Sequence, residues 1–83
     1  MDPERLLRRL RGGSVADVDF GDMQRLMEAL GFGLRRVSGS HHIFTHPELG
    51  ELVNLQEVRG QVKPYQVRQC LRLFERYDLT LEA

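Results

Sequence analysis

Apolar residues recur at helical spacing in three segments of the chain. The first segment begins at Asp2–Glu4, which supplies a capping side chain, a proline for the first helical position and an early acid. A narrow apolar stripe over Leu6–Leu10 follows and stops at Gly12-Gly13. Because so short a helix is unstable alone, we expect it to dock on other elements. Residues 12–19 are predicted to be a linker.

The second segment predicts a longer helix with a signal at each end. Asp19 can cap its start, and apolar residues recur at three- and four-residue steps from Phe20 to Leu30. Gly31 stands where a left-handed residue commonly ends a helix. The third helix is predicted to begin at Lys63-Pro64, because proline is tolerated in the first helical turn. Its predicted buried face comprises Val67, Cys70, Leu71, Phe74 and Tyr77, and its predicted exposed face comprises Gln66, Gln69, Arg72 and Glu75.

Between the second and third helices the pattern changes to that of short strands. Candidates are Phe32 to Val37, His42 to His46 and Leu52 to Gln56, separated by two loops at 38–40 and 47–50 that suit hairpins. The strands are predicted to form an antiparallel meander. The fold class is therefore α+β, with a short extra N-terminal helix followed by the order α-β-β-β-α. We expect a three-stranded antiparallel sheet with helices packed on one face.

Composition bounds the class of protein without naming a function. The chain has 83 residues, of which 41% are hydrophobic and 29% charged, as expected of one globular domain. A single cysteine, Cys70, excludes an internal disulfide framework and a cysteine-based zinc cluster. Apolar runs are too short for a membrane span and no secretory signal is apparent, so we expect a cytoplasmic protein that does not act at a membrane.

Charge is unevenly distributed along a chain whose formal net charge is zero. Residues 33–72 carry six basic side chains against three acidic ones, and the same stretch holds all three histidines. Such a surplus suits a surface that binds phosphate groups. The other interpretation is a patchy solvated surface with no binding role.

A motif in the middle of the chain is more informative. It consists of Ala29-Leu30-Gly31-Phe32 at a helix end, Arg35-Arg36-Val37 in a strand, then Gly39-Ser40-His41, with His46-Pro47 after the next strand. In this arrangement the chain resembles the HicA family of bacterial toxin–antitoxin toxins, from about Phe20 to Tyr77. The resemblance implies that residues 19–83 form a HicA-like domain. Residues 1–18 are then an N-terminal extension that consists of a short helix and a linker.

The resemblance also implies a fold, an activity and partners. Family members have the fold of double-stranded-RNA-binding domains, cleave mRNA as small ribonucleases, and are silenced by a HicB-type antitoxin protein. Many members carry a Pro-His element and several lysines after the third strand, whereas this chain has Val53–Gln56 and then Gln61–Gln66. The partners that the resemblance implies are mRNA and a HicB-like antitoxin.

Metal-free cleavage of RNA needs a base for the ribose 2′-OH, an acid for the departing 5′-oxygen, and cations around the phosphate. Histidine suits the first two roles because its ordinary pKa of about 6.5 allows either form near neutral pH. The motif and an exposed Gly-Ser turn favour His41 as the general acid or base. The other candidates, for RNA binding, are Ser40, His42, Arg35, Arg36 and Lys63.

Strand alternation separates these side chains. It places His42 and His46 on one face with Phe44, and His41 on the other face with Ile43. At least one histidine is therefore expected to be structural, and the pattern alone leaves the choice between His41 and His42 open. A metal site of three histidines would be divided between the faces, so we expect no metal and no cofactor. As strand neighbours, the two arginines at 35 and 36 are also expected on opposite faces.

Two other functions fit the same pattern. One is a non-catalytic RNA-binding module of the same fold, whose affinity would fall steeply with salt. The other is a protein–protein interaction domain that uses the acidic stretch 13–32 and the arginine-rich first helix. The first helix has a competing interpretation, in which it covers the core of its own domain.

Overall fold

The order of helices and strands agrees with the predicted order, with two short strands added. The computed structural model describes residues 1–81, which form three helices and five strands. All strand pairs are antiparallel, in the order β1-β5-β4-β3-β2. The elements are α1 (Pro3–Arg11), β1 (Val18–Asp19), α2 (Phe20–Ala29), β2 (Gly33–Ser38), β3 (His41–Thr45), β4 (Val53–Val58), β5 (Gln61–Val62) and α3 (Pro64–Arg76).

The helices begin and end where their capping residues predict. The carboxylate of Asp2 accepts the backbone N–H of Arg5 at 2.9 Å, which satisfies one of the free donors at the start of α1. Asp19 does the same for α2, and Pro64 opens α3. After α2 the chain turns at Gly31, whose φ of 100° is the predicted left-handed conformation. These predictions are confirmed.

The prediction of three strands is wrong, because β1 and β5 extend the sheet to five. Val18 pairs with Val62, and both side chains are buried. The predicted linker over 12–19 therefore ends in a strand and contributes Val15 to the core as well. Strands of two residues are too short to show an alternating pattern, so nothing in the sequence signals them. The predicted meander of the three longer strands is confirmed.

Two residues that were predicted to belong to the third helix are placed differently from the prediction. Gln66, expected on the exposed face, is only 6% exposed, because its Oε1 accepts the backbone N–H of Gln56 at 2.9 Å. Since β5 pairs with β4 only at Glu57 and Val58, this side chain supplies the acceptor that a longer strand would have provided. Tyr77, expected in the core, is 40% exposed because it follows the last residue of the helix.

One side of the sheet faces the core and the other is uncovered. Phe44, Val53 and Leu55 point to the helices and are buried, whereas His41 and Asn54 point the other way and are exposed. The leucines of α1 are buried in the same core, so the first helix covers its own domain, as one of the two interpretations predicted. Likeness to a double-stranded-RNA-binding domain stays a prediction. No helix within residues 1–81 is long and apolar enough to cross a membrane.

Candidate functional site

A tight hairpin places His41 at the start of β3. Ser38 pairs with His41, so only Gly39 and Ser40 form the turn between β2 and β3. Gly39 has a φ of 59°, the left-handed conformation that such turns require and glycine adopts readily. The turn leaves the His41 side chain exposed on the uncovered side of the sheet.

The strand register defines which side chains share that surface with His41. Residues directly opposite each other in antiparallel strands lie on the same face. Ile43 pairs with Arg36 on one side and with Asn54 on the other, while His41 pairs with Ser38 and Gln56. We call this surface the open face; it comprises Arg36, Ser38, His41, Ile43, Asn54 and Gln56.

His41 and Asn54 contact each other across the open face. The two residues are diagonal neighbours in the β3–β4 ladder, and Nδ1 of His41 lies 3.3 Å from Oδ1 and 3.2 Å from Nδ2 of Asn54. The other ring nitrogen, Nε2, lies on the far side of the imidazole. Sequence reasoning did not single out Asn54. The signal was available in its place between two apolar strand residues, Val53 and Leu55, which marks it as belonging to the polar face.

His42 faces the opposite way, as alternation predicts. Its ring lies 4.4 Å from the ring of Phe20, centroid to centroid, at the start of α2. Its Nδ1 lies 3.1 Å from the carbonyl oxygen of Ser40, to which it can donate a hydrogen bond. His42 is partly buried and packed against a helix, whereas His41 is exposed. The geometry therefore offers His41, rather than His42, to a large ligand on the open face.

His46 is enclosed just beyond the end of β3. It is 9% exposed, and its ring packs edge-on against Phe32 with centroids 5.1 Å apart. Nε2 donates to the carbonyl oxygen of Leu30 at 3.1 Å, and Nδ1 accepts the backbone N–H of Glu48 at 3.1 Å. These bonds join the end of α2 to the loop after β3. Within the described residues 1–81, no group of three His, Cys, Asp or Glu side chains is placed to hold a metal ion.

The predicted phosphate contacts are only partly brought together. Arg36 lies on the open face, but Arg35 falls at a bulge in β2 and has no partner in the β3 register. Lys63 precedes α3 next to β5, and β4 separates it from the strand that carries His41. Ser40 is half-buried in the turn, where its carbonyl oxygen also accepts the backbone N–H of Glu57 at 2.9 Å.

Cys70 takes no part in this site. The residue is buried in the core, and burial raises the pKa of its thiol to about 12. Since the thiolate is the nucleophilic form, a thiol that keeps its proton at neutral pH is inert. This agrees with the prediction that Cys70 is a core residue.

The part of the chain from α2 to α3 matches a known protein family. A family model described as the HicA toxin of bacterial toxin–antitoxin systems matches residues 20–75. The chain belongs to the HicA toxin family. The match confirms the resemblance drawn from the sequence, and it spans everything from α2 nearly to the end of α3, including the Gly39–His41 turn. The first helix and β1 of this HicA toxin precede the matched residues. No curated protein and no solved structure matches the chain.

Proposed function

We propose that this HicA toxin is a metal-independent ribonuclease that cleaves mRNA in the cytoplasm, with His41 as its general acid or base. The observation that carries the proposal is the exposure of His41 on the open face, beside Arg36, in a chain of this family. An exposed sheet surface of this kind has room for a single RNA strand, which a closed pocket would not admit.

The chemistry needs two proton transfers. A base removes the proton of the ribose 2′-OH, whose oxygen attacks the neighbouring phosphorus, and the bond from phosphorus to the 5′-oxygen breaks. An acid gives that oxygen a proton, so the products are a 2′,3′-cyclic phosphate and a free 5′-OH. The imidazole of His41 can perform either transfer. The guanidinium of Arg36, on the same face, can stabilise the charge that grows on the phosphate oxygens.

The test is cleavage of a long mRNA by the purified protein and by His41→Ala and His42→Ala variants, in the presence of EDTA. Because general acid–base catalysis contributes typically 10²–10⁴-fold, we expect His41→Ala to lose about 100-fold or more in rate. Circular dichroism of each variant checks that it is folded. His42→Ala is expected to retain more activity, since His42 faces the helices.

Three outcomes would contradict the proposal. Full cleavage by the His41→Ala variant would remove His41 from the reaction, and loss of cleavage in EDTA would require a metal. If the wild-type chain binds RNA with strong salt dependence but leaves it intact, the chain is a non-catalytic RNA-binding module.

We further propose that a HicB-type antitoxin silences the toxin by covering the open face. The proposal is supported by the family and by the exposure of His41, which any inhibitor of this site has to block. Diethyl pyrocarbonate modifies exposed histidines, so binding of the antitoxin should protect His41 from modification while growth of the host is restored. Restored growth with His41 still modified at the free rate would place the antitoxin elsewhere.

A further inference from the structure

The side-chain amide of Asn54 contacts one ring nitrogen of His41, the candidate catalytic residue. Both amide atoms lie within hydrogen-bond distance of Nδ1 of His41, at 3.3 Å for Oδ1 and 3.2 Å for Nδ2. Because β3 and β4 are paired through four consecutive positions, the backbone fixes the positions from which the two side chains project. The contact is therefore built into the sheet rather than made by a mobile loop.

The two arrangements of the amide have different chemical consequences. If Oδ1 accepts from Nδ1–H, the neutral ring has its lone pair on Nε2. If Nδ2 donates to Nδ1, the neutral ring carries its hydrogen on Nε2. Only the first arrangement survives protonation of the ring, because an imidazolium has hydrogen on both nitrogens and can accept from neither. A group that works as an acid or a base passes through both protonation states.

We propose that Asn54 is a positioning residue whose Oδ1 holds Nδ1–H of His41, so that Nε2 is the nitrogen that exchanges protons with substrate. The catalytic part of this inference rests on the proposed ribonuclease function. The hydrogen bond itself does not, and it can be measured in the free protein. With Oδ1 as acceptor, the amide keeps one bond while Nε2 gains and loses its proton, so no rearrangement slows the cycle.

The first experiment reads the tautomer of His41 by nitrogen-15 NMR in the full chain without RNA. We expect the hydrogen of neutral His41 on Nδ1 in the wild type and in Asn54→Asp, which keeps a carbonyl-type acceptor, but a shift of population towards Nε2–H in Asn54→Ala. Gln56→Ala is the matched control, because Gln56 lies directly opposite His41 on the same strand and face as Asn54. That variant should leave the His41 tautomer unchanged.

The second experiment measures cleavage by the same Asn54 variants. A misplaced catalytic group costs up to about 100-fold, so Asn54→Ala should lose about 10- to 100-fold in kcat with little change in KM. Asn54→Asp should recover part of that loss and move to higher pH the limb of the pH–rate profile that His41 controls, because a carboxylate favours the imidazolium. Arg36 is the charged side chain that the register places on this face, and it is unchanged in both variants.

The outcomes separate the two proposals. An unchanged His41 tautomer in Asn54→Ala would overturn the positioning role, whether or not the chain cleaves RNA. If the tautomer changes in Asn54→Ala but the wild-type protein never cleaves RNA, the ribonuclease function is overturned and the hydrogen bond between Asn54 and His41 still stands. Equal loss of kcat in the Ala and Asp variants, with an unmoved pH profile, would show that Asn54 acts only on the structure of the sheet.

Discussion

Gly31 lies close to the ring of His46 at the point where the end of α2 packs against the loop after β3. A β-carbon added at Gly31 would lie 2.7 Å from Nε2 of His46, the atom that donates to the carbonyl oxygen of Leu30. The glycine also has a φ of 100°, which other residues adopt at a cost of about 1–2 kcal/mol. Two separate physical constraints therefore require glycine at this position.

Gly31→Ala is expected to lower the free energy of unfolding by about 2–5 kcal/mol. The conformational cost adds to the loss of a buried hydrogen bond, worth about 1–3 kcal/mol when its partner is displaced. Gly39→Ala is the matched control, because Gly39 also has a left-handed φ but a β-carbon there meets nothing within 4 Å. Urea denaturation measures both. Equal losses in the two variants would show that the His46 contact contributes nothing to the free energy of unfolding.

At the scale of single residues, the sequence could predict what local patterns determine. The Gly-Ser turn before His41 exposes that side chain through local backbone geometry, so its exposure could be predicted from the motif. Asn54 is its neighbour only through the register of β3 on β4, which joins residues 13 apart in the chain. Pairing register depends on the whole sheet. For that reason the partner of His41 was not predicted.

At the scale of elements, α1 belongs to the core although it precedes the residues that match the family. Leu6 and Leu10 are each 1% exposed and pack in the same cluster as the side chains of α2 and the sheet. A helix of nine residues has little stability of its own, so α1 depends on packing its leucines in the core. The same leucines bury part of that core from solvent.

Leu6→Ala is expected to lower the free energy of unfolding by about 2–5 kcal/mol, the usual cost of emptying a buried leucine site. Arg5→Ala changes the neighbouring exposed residue of the same helix and should cost less than about 0.5 kcal/mol. Thermal and urea denaturation of both variants give the comparison. A loss below 1 kcal/mol for Leu6→Ala would mean that the domain folds without its first helix.

The contact between α3 and β4 gives a second test at this scale. Gln66→Leu removes the acceptor of the Gln56 N–H, and a buried donor left unpaired costs about 1–3 kcal/mol. Gln69→Leu, one turn further along on an exposed position, should be nearly neutral. Equal stability of the two leucine variants, measured by urea denaturation, would show that the bond is unimportant.

Helices and strands could be predicted where the residues that signal them lie within the element or at its ends. Capping side chains and prolines lie at the helix ends themselves, so the three helices were predicted with correct starts. Gln66 could not be placed, because its burial follows from the short length of β5, a property of another part of the chain. The strands β1 and β5 have only two residues each and exist because β1 pairs with β5 and β5 pairs with β4.

At the scale of the whole molecule, the sheet separates stability from the proposed activity. Its helix side holds Phe44, Val53 and Leu55 together with the buried His46, whereas the open face carries the exposed His41 and Asn54. Substitutions on the open face should therefore change activity with little effect on folding, and substitutions on the helix side the reverse. A net charge of zero does not conflict with the proposed RNA-binding surface, because Arg36 lies on the open face.

The buried Cys70 thiol links the stability of the whole molecule to alkaline pH. Its pKa is about 12 in the folded protein against 9.0 for an ordinary thiol, so above pH 9 only the unfolded chain releases the proton. The folded state is thus fully favoured below pH 9 and loses stability as the pH rises towards 12. Each pH unit in that window costs about 1.4 kcal/mol.

Cys70→Ala removes this dependence while leaving every other titrating group in place. Between pH 8 and pH 10.5 the wild-type free energy of unfolding should fall by about 2 kcal/mol more than that of the variant, as measured by urea denaturation at each pH. The same burial predicts that a thiol reagent labels the native protein only through the opened chain. Leu6→Ala should therefore accelerate labelling about tenfold for each 1.4 kcal/mol of stability it loses. Parallel pH curves for the two proteins, or immediate labelling of the native chain, would mean that Cys70 is open to solvent.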